Sequence, residues 1–352
     1  MTRLADIANQ KFEGVGGPFV IAELSGNHQQ SYDLAIAMVE AAAAAGVDAI
    51  KLQTYTADSM TLDLDQAEFV ISEKDSLWKG ESLHSLYTKA ATPYSWHEGI
   101  FKRAKELGLL AFSSPFDEAA VDFLEQLAVP CYKIASFENN DFALIEKAAS
   151  TGKPVIISTG MASISEIEDM VAVVKKFGRA PPILLKCTSA YPAPNSDTNL
   201  STLSDMSERF GCAIGLSDHT LGSDVAVAAT ALGATVIEKH FVLDRDEGGV
   251  DAAFSLEPSE MAELVNRCRR VREAVGEVNY GETASDVSAK RYRRSLYITE
   301  TVREGEVVSA KHLRSIRPGL GLAPKYLDQI IGKIAKQDIP KGTAVSWDLF
   351  SD

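Results

Sequence analysis

Short apolar runs recur through the first three quarters of the chain, each followed by a longer stretch with helical spacing. The runs span 19–24 (FVIAEL), 49–55 (AIKLQTY), 110–116 (LAFSSPF) and 131–136 (CYKIAS). Four more follow at 154–160 (PVIISTG), 183–189 (ILLKCTS), 212–219 (CAIGLSDH) and 235–242 (TVIEKHFV). They lack the polar alternation of a half-exposed sheet, so they read as strands buried on both faces. The segments between them carry helix signals. Ser31 is a candidate N-cap and Gly46 a C-terminal stop. Thr92-Pro93 is expected to open a helix running to about residue 107. Ser163 and Glu166 have capping-box spacing, and 259–275 reads as a long last helix with a polar, basic outer face. Eight such units predict a closed (β/α)8 TIM barrel, with an open doubly wound sheet as the alternative.

One connection breaks the rhythm. Segment 57–91 leaves the second strand and delays the next helix, on the face where barrel enzymes keep their chemistry. Its Phe69, Trp78, Leu83 and Tyr87 are expected either to line a substrate pocket or to form a small satellite core. Beyond the last barrel helix, 277–290 is polar, and 291–352 changes to short apolar pieces broken by EGE, RPGLG and PKG. The expected organisation is a barrel over 1–280, a linker over 281–290 and a small β-rich domain over 291–352.

Composition narrows the function. The chain of 352 residues carries a formal charge of −14, which argues against nucleic acid as a partner. The charge is uneven: 281–352 holds 12 Lys+Arg against 9 Asp+Glu, or +3, leaving 23 against 40, or −17, for 1–280. An anionic substrate would therefore need a local positive cluster. No apolar run is long enough to span a membrane, and the opening MTRLADIANQ has no apolar core of a secretory leader. Cys131, Cys187, Cys212 and Cys268 are too dispersed for a zinc cluster or disulfide framework, so reduced thiols in a cytoplasm are expected.

Polar residues at strand C-termini should face the mouth of a barrel. They are Glu23; Lys51 and Gln53; Ser113 and Ser114; Lys133 and Ser136; Ser158 and Thr159; Lys186, Thr188 and Ser189; Ser217, Asp218 and His219; Glu238 and His240. A lysine within a strand costs several kcal/mol unless paired, so Lys51 and Lys133 are informative; Lys186 could instead serve a structural ion pair. Hydroxyls and lysines converging on one mouth suit a phosphate or carboxylate. There is no P-loop, and Gly14-Val15-Gly16-Gly17 precedes its strand, so it is not a dinucleotide fingerprint. Asn199-Leu200-Ser201 matches a glycosylation acceptor only by a common pattern. His219 and His240 close adjacent strands and could share a divalent metal that keeps positions open for substrate, with Asp218 and Glu238 as nearby carboxylates. His28 is a weaker candidate, and His84, His97 and His312 are expected to be structural.

The motifs ELSGNH (23–28), KLQTY (51–55), SSPF (113–116), YKIASFE (132–138) and STGM (158–161) resemble the sialic acid synthase family. So do KCTSAYP (186–192), GLSDHT (215–220), IEKHF (237–241) and a C-terminal antifreeze-like (SAF) domain with RPG at 317–319. Segments 54–62, 77–80 and 91–97 look most like the pseudaminic acid synthase branch; neuraminate and legionaminate synthesis are the alternatives, and a non-catalytic sugar-binding protein is a different-class rival. The resemblance implies condensation of phosphoenolpyruvate with an acylamino sugar, with Glu23 as acid/base. It implies phosphoenolpyruvate contacts from Lys51, Lys133, Ser136, Ser158, Ser189 and Ser217. Gln53, Ser114, Tyr191, Glu238 and Asp251 would join the substrate site. A divalent metal at His219 and His240 is implied, manganese first, magnesium or cobalt as alternatives. Arg317 would reach the sugar from the second subunit of a homodimer.

Overall fold

The computed structural model describes Asp6, residues 16–72 and residues 76–351. The rest of the opening decapeptide and Gly14-Val15 lie outside the described residues, as does 73–75 of the long connection. Eight parallel strands close a barrel in sequential order: β1 (Phe19–Glu23), β2 (Ala49–Thr54), β3 (Leu110–Pro115), β4 (Tyr132–Ile134), β5 (Val155–Ser158), β6 (Ile183–Cys187), β7 (Ala213–Asp218) and β8 (Val236–His240). The expected TIM barrel is therefore the fold, and the open sheet is excluded. Barrel closure is set by β1, whose Glu23 is in register with Lys51 of β2 on one side and His240 of β8 on the other.

Local signals place the helices. Ser31 accepts from the Leu34 N–H to cap helix Tyr32–Ala44, and Gly46 follows with φ +81°. Ser163 and Glu166 form the full capping box of helix Ile164–Phe177. Thr92 departs from expectation. Pro93 itself is the N-cap of helix Tyr94–Glu106, while the Thr92 hydroxyl is taken by His28 Nε2 at 3.1 Å.

Segment 57–91 holds elements of its own: helix Ala57–Met60, a 3-10 turn Ala67–Phe69 and helix Leu83–Ala90. His84 ties the two helices together through Asp58 (2.9 Å). Asn199 of the glycosylation pattern is exposed.

The contacts divide the chain into units Met1–Gly276 and Glu277–Asp352. In the second, β9 (Ser295–Ile298) pairs antiparallel with β10 (Leu313–Ile316), and β11 (Ile334–Ala335) with β12 (Phe350–Ser351). A separate core forms around Leu296, Ile298, Val302, Ile330 and Phe350. The polar stretch before it contains a short helix, Asp286–Ala289. Among the described residues, no helix is long and apolar enough to cross a membrane.

Candidate active site

Strand parity sorts the predicted residues. Side chains at Glu23, Lys51, Gln53, Ser114, Lys133, Ser217 and Glu238 meet in one buried cluster. Lys51 Nζ forms an ion pair with Glu23 Oε2 and lies 3.3 Å from Ser114 Oγ and 3.9 Å from Glu238 Oε2. Lys133 Nζ lies 3.7 Å from Glu238 Oε1, which also accepts from Ser217 Oγ at 3.1 Å. Gln53 Nε2 donates to Glu23 Oε1 (3.0 Å) and Ser25 Oγ (3.1 Å). Burial opposes charge on Lys51, Lys133 and Glu238. The nearby Glu23 and Glu238 overcome it at Lys51 and hold that ammonium above its ordinary value. At Lys133 burial prevails over the pull of Glu238, and its value falls. Glu238 is buried too, yet the two lysines keep it below the usual carboxylate range.

Beside this cluster lies a hydroxyl cradle. Ser136 and Ser158 are buried, and neither Oγ has a hydrogen-bond partner. A methyl placed on Gly160 would stand 2.3 Å from Ser189 Oγ and 2.6 Å from Ser136 Oγ. Glycine thus lets these two hydroxyls close in on the backbone at a point where any side chain would displace them. Asn139 fixes the loop by donating to the carbonyls of Ser158 (3.2 Å) and Gly160 (3.0 Å). The unused Ser136 and Ser158 hydroxyls, on the strand ends that also carry buried Lys133, are what a bound oxyanion requires.

His219 and His240 come together with ring centroids 5.3 Å apart. The His219 Nδ1–H donates to the Thr188 carbonyl at 3.0 Å, which leaves the Nε2 lone pair available. His240 Nδ1 is buried without a hydrogen-bond partner, its nearest carboxylate oxygen being Asp251 Oδ2 at 3.4 Å. Among the described residues no group of three or more His, Cys, Asp or Glu gathers around a point, so the protein would offer two imidazoles and leave the remaining positions open. That donor set fits a divalent ion. Tyr191 packs on His219 at 4.5 Å between centroids, and Asp251 is held by Ser25 and by Asn27, whose Oδ1 accepts its N–H at 3.0 Å.

Several expected members are elsewhere. Asp218 is not the companion of His219. It stands in register with Lys239 on the outward layer of the barrel, where the two form a buried ion pair at 2.8 Å. Ser113 likewise faces outward and bonds Thr54 (2.6 Å). Thr159 and Thr188 hydroxyls donate to the backbone carbonyls of Leu185 and Asp197. Lys186 donates to the Cys187 carbonyl (3.2 Å) instead of joining the inward lysines. His28 is enclosed by Thr92 and Trp96. Arg317 is exposed in the second unit.

Residues not anticipated also contribute. Asn27 lay within a quoted motif, and its amide also donates to the Phe241 carbonyl and to Ser255 (both 2.9 Å), anchoring the loop that carries Asp251. Glu138, in the 3-10 turn after β4, has a buried Oε2 without a hydrogen-bond partner, and burial pushes its carboxyl up to about 7. A cavity of about 510 Å³ opens beside the mouth, between the loop after β1, the 57–91 segment and the loop after β8. Of the four lid residues expected to line a pocket, Trp78 is in its wall; Tyr87 packs instead on Tyr55, at 5.9 Å between centroids.

Comparison with known proteins identifies the family. Residues 38–280 match the NeuB family and residues 293–351 the SAF domain. The chain is 42% identical over 327 residues to the pseudaminic acid synthase of Campylobacter jejuni strain 81-176, covering 93% of this chain and 95% of that protein. It is 40% identical over 332 residues to the pseudaminic acid synthase of Helicobacter pylori, covering 94% and 97%. A crystal structure of the N-acetylneuraminic acid synthetase of Leptospira borgpetersenii, in complex with citrate, superposes with a TM-score of 0.70 at 34% identity, covering 79% of this chain and 92% of that one. The family match over most of the barrel and the identity to these synthases over more than nine-tenths of the chain show that this chain belongs to the NeuB family.

Proposed function

We propose that the protein is a pseudaminic acid synthase. It condenses phosphoenolpyruvate with 2,4-diacetamido-2,4,6-trideoxy-altropyranose and water, giving pseudaminic acid and phosphate. The observation that carries the phosphoenolpyruvate half is the cradle over Gly160, with unpartnered Ser136 and Ser158 beside Lys133. The identity to two pseudaminic acid synthases supports the choice of sugar.

In this reading Lys51, Lys133 and the hydroxyls of Ser114, Ser136, Ser158, Ser189 and Ser217 bind the carboxylate and phosphate. Glu238, Asp251, Gln53 and Tyr191 orient the open-chain sugar. His219 and His240 would hold a divalent ion, manganese first and magnesium or cobalt as alternatives, which when bound supplies Lewis-acid polarisation of the aldehyde. C3 of phosphoenolpyruvate forms the new carbon–carbon bond to the aldehyde carbon with the electron pair of the C2–C3 double bond, and the aldehyde oxygen gains a proton from solvent. The oxocarbenium left at C2 adds water on the side of Glu23, and Glu23 takes the proton. The tetrahedral adduct then breaks the C2–O bond to phosphate, the electron pair leaves with phosphate, which also takes up the proton of the C2 hydroxyl, and C2 becomes a ketone. The paired lysines stabilise the anionic groups throughout.

Arg317 would act in a homodimer, reaching the sugar's acylamino group from a second copy of the chain. The almost fully exposed Val278 and Tyr280 support an assembly that covers the start of the second unit. The buried, free cysteines and a phosphoenolpyruvate substrate support a cytoplasmic setting.

The test is isotopic. With ¹⁸O in the bridging position of phosphoenolpyruvate, the label should leave in phosphate, in a reaction abolished by a chelator and restored by manganese. Label retained in the sugar acid, or full turnover in the chelated sample, overturns the proposal.

A further inference from the structure

The cavity beside the mouth has no role in the chemistry above. Its wall includes Gln29, Gln30, Leu77, Trp78, Leu86 and Ala253. Two links join it to the reacting groups. Trp78 packs toward Tyr191 at 6.1 Å between centroids, and Tyr191 covers His219. Trp78 Nε1 also donates to the Val250 carbonyl (3.0 Å), next to Asp251, which faces His240. The chamber therefore shares a wall, Trp78 and Val250, with the end of the site where the sugar would lie.

The wall states what it can accept. Its charged residues, Lys89 and Glu81, neutralise each other at 2.6 Å, so it offers nothing to a phosphate or carboxylate. Gln30 Nε2 is committed to two carbonyls, Lys89 (2.9 Å) and Ala91 (2.7 Å). Gln29 Nε2 is committed to Glu247 (3.2 Å) and Gly248 (3.1 Å). Both amide orientations are fixed by these pairs of acceptors, leaving each Oε1 as a hydrogen-bond acceptor. The apolar contacts on offer include Leu77, Leu86, Ala253 and the Trp78 ring. Acceptors beside a small apolar wall suit a group with an N–H and a methyl.

We propose that this side chamber is a specificity subsite that receives the acylamino group on the sugar carbon remote from the aldehyde. The proposal rests on the reading of the substrate as a bis-acylamino sugar, and its test separates the two.

Calorimetric binding of 2,4-diacetamido-2,4,6-trideoxyaltrose and of N-acetylmannosamine to the manganese-loaded full chain needs no turnover. The wild type should bind the diacetamido sugar at least tenfold more tightly. Ala253→Trp fills the chamber from an exposed position, and Leu77→Asp puts a charge in its wall. Either should weaken the diacetamido sugar tenfold or more and N-acetylmannosamine by less than twofold. Equal weakening of both sugars, or no effect in two variants with wild-type melting curves, overturns the subsite. If the wild type binds N-acetylmannosamine as tightly as the other sugar, the subsite is overturned even where phosphate release is normal. Discrimination by binding without phosphate release keeps the subsite and refutes the reaction.

Discussion

Lys133 Nζ stands 3.7 Å from Glu238 Oε1, with both side chains almost entirely removed from water. Glu238 also faces Lys51 at 3.9 Å, so one carboxylate occupies both lysines that the account assigns to phosphoenolpyruvate. Glu238→Gln removes the competing charge. The KM for phosphoenolpyruvate should fall several-fold, on the order of 1 kcal/mol after screening, while kcat drops because the sugar loses a contact. A raised KM for phosphoenolpyruvate would contradict this.

Gly160→Ala tests the cradle. The added methyl meets Ser189 and Ser136 oxygens inside contact distance, and such overpacking costs ~1–3 kcal/mol. The KM for phosphoenolpyruvate should rise about tenfold or more by that cost, with the sugar KM little changed. Equal effects on both substrates would show that the loop, not the cradle, is the sensitive part.

Glu23→Gln keeps the shape and the bond from Gln53 but cannot take a proton. A rate loss of ~10²–10⁴ is expected, with phosphoenolpyruvate binding nearly intact. Normal turnover would make Glu23 a partner of Lys51 and nothing more.

Acid should weaken the fold in a defined window. Burial lowers His28 and His97 from 6.5 to about 4. His97 Nδ1 donates to the Pro93 carbonyl (3.1 Å), and Nε2 accepts from Thr54 (2.8 Å), so the neutral ring is the one that fits. The unfolded chain takes up protons that the folded chain refuses. The stabilisation is complete above pH 6.5 and is lost as the pH falls toward 4, by up to ~3 kcal/mol per ring. Urea midpoints at pH 7.5, 5.5 and 4.5 should fall steeply for the wild type and less steeply for His97→Gln. Parallel slopes would rule out His97 as a source.

The barrel was legible because its strands are buried on both faces and read as plain apolar runs. Their position at strand C-termini then put Glu23, Lys51, Gln53 and Glu238 among the residues expected at the barrel mouth. Parity also held the answer that was overlooked. Asp218 lies between inward Ser217 and His219, so it points out of the barrel, where Lys239 in the neighbouring strand needs a counter-charge. Residues beyond the strand ends had no period to betray them. Glu138 sits in a 3-10 turn, Asn27 in a loop, and Gly160 matters through the close approach of Ser136 and Ser189, which no residue type announces. Tyr87 and Phe69 looked like pocket aromatics by composition, but the lid folds its own helices and turns Tyr87 onto Tyr55.

Reaction and sugar can be read out together. The most direct measurement is phosphate release from phosphoenolpyruvate with manganese, compared across 2,4-diacetamido-2,4,6-trideoxyaltrose, the legionaminic precursor and N-acetylmannosamine. A hydroxyl placed against an apolar wall loses ~1–3 kcal/mol, so kcat/KM should favour the altrose derivative by about ten- to hundredfold over N-acetylmannosamine. Equal or faster turnover of N-acetylmannosamine, or no phosphate from any of the three, would contradict the account.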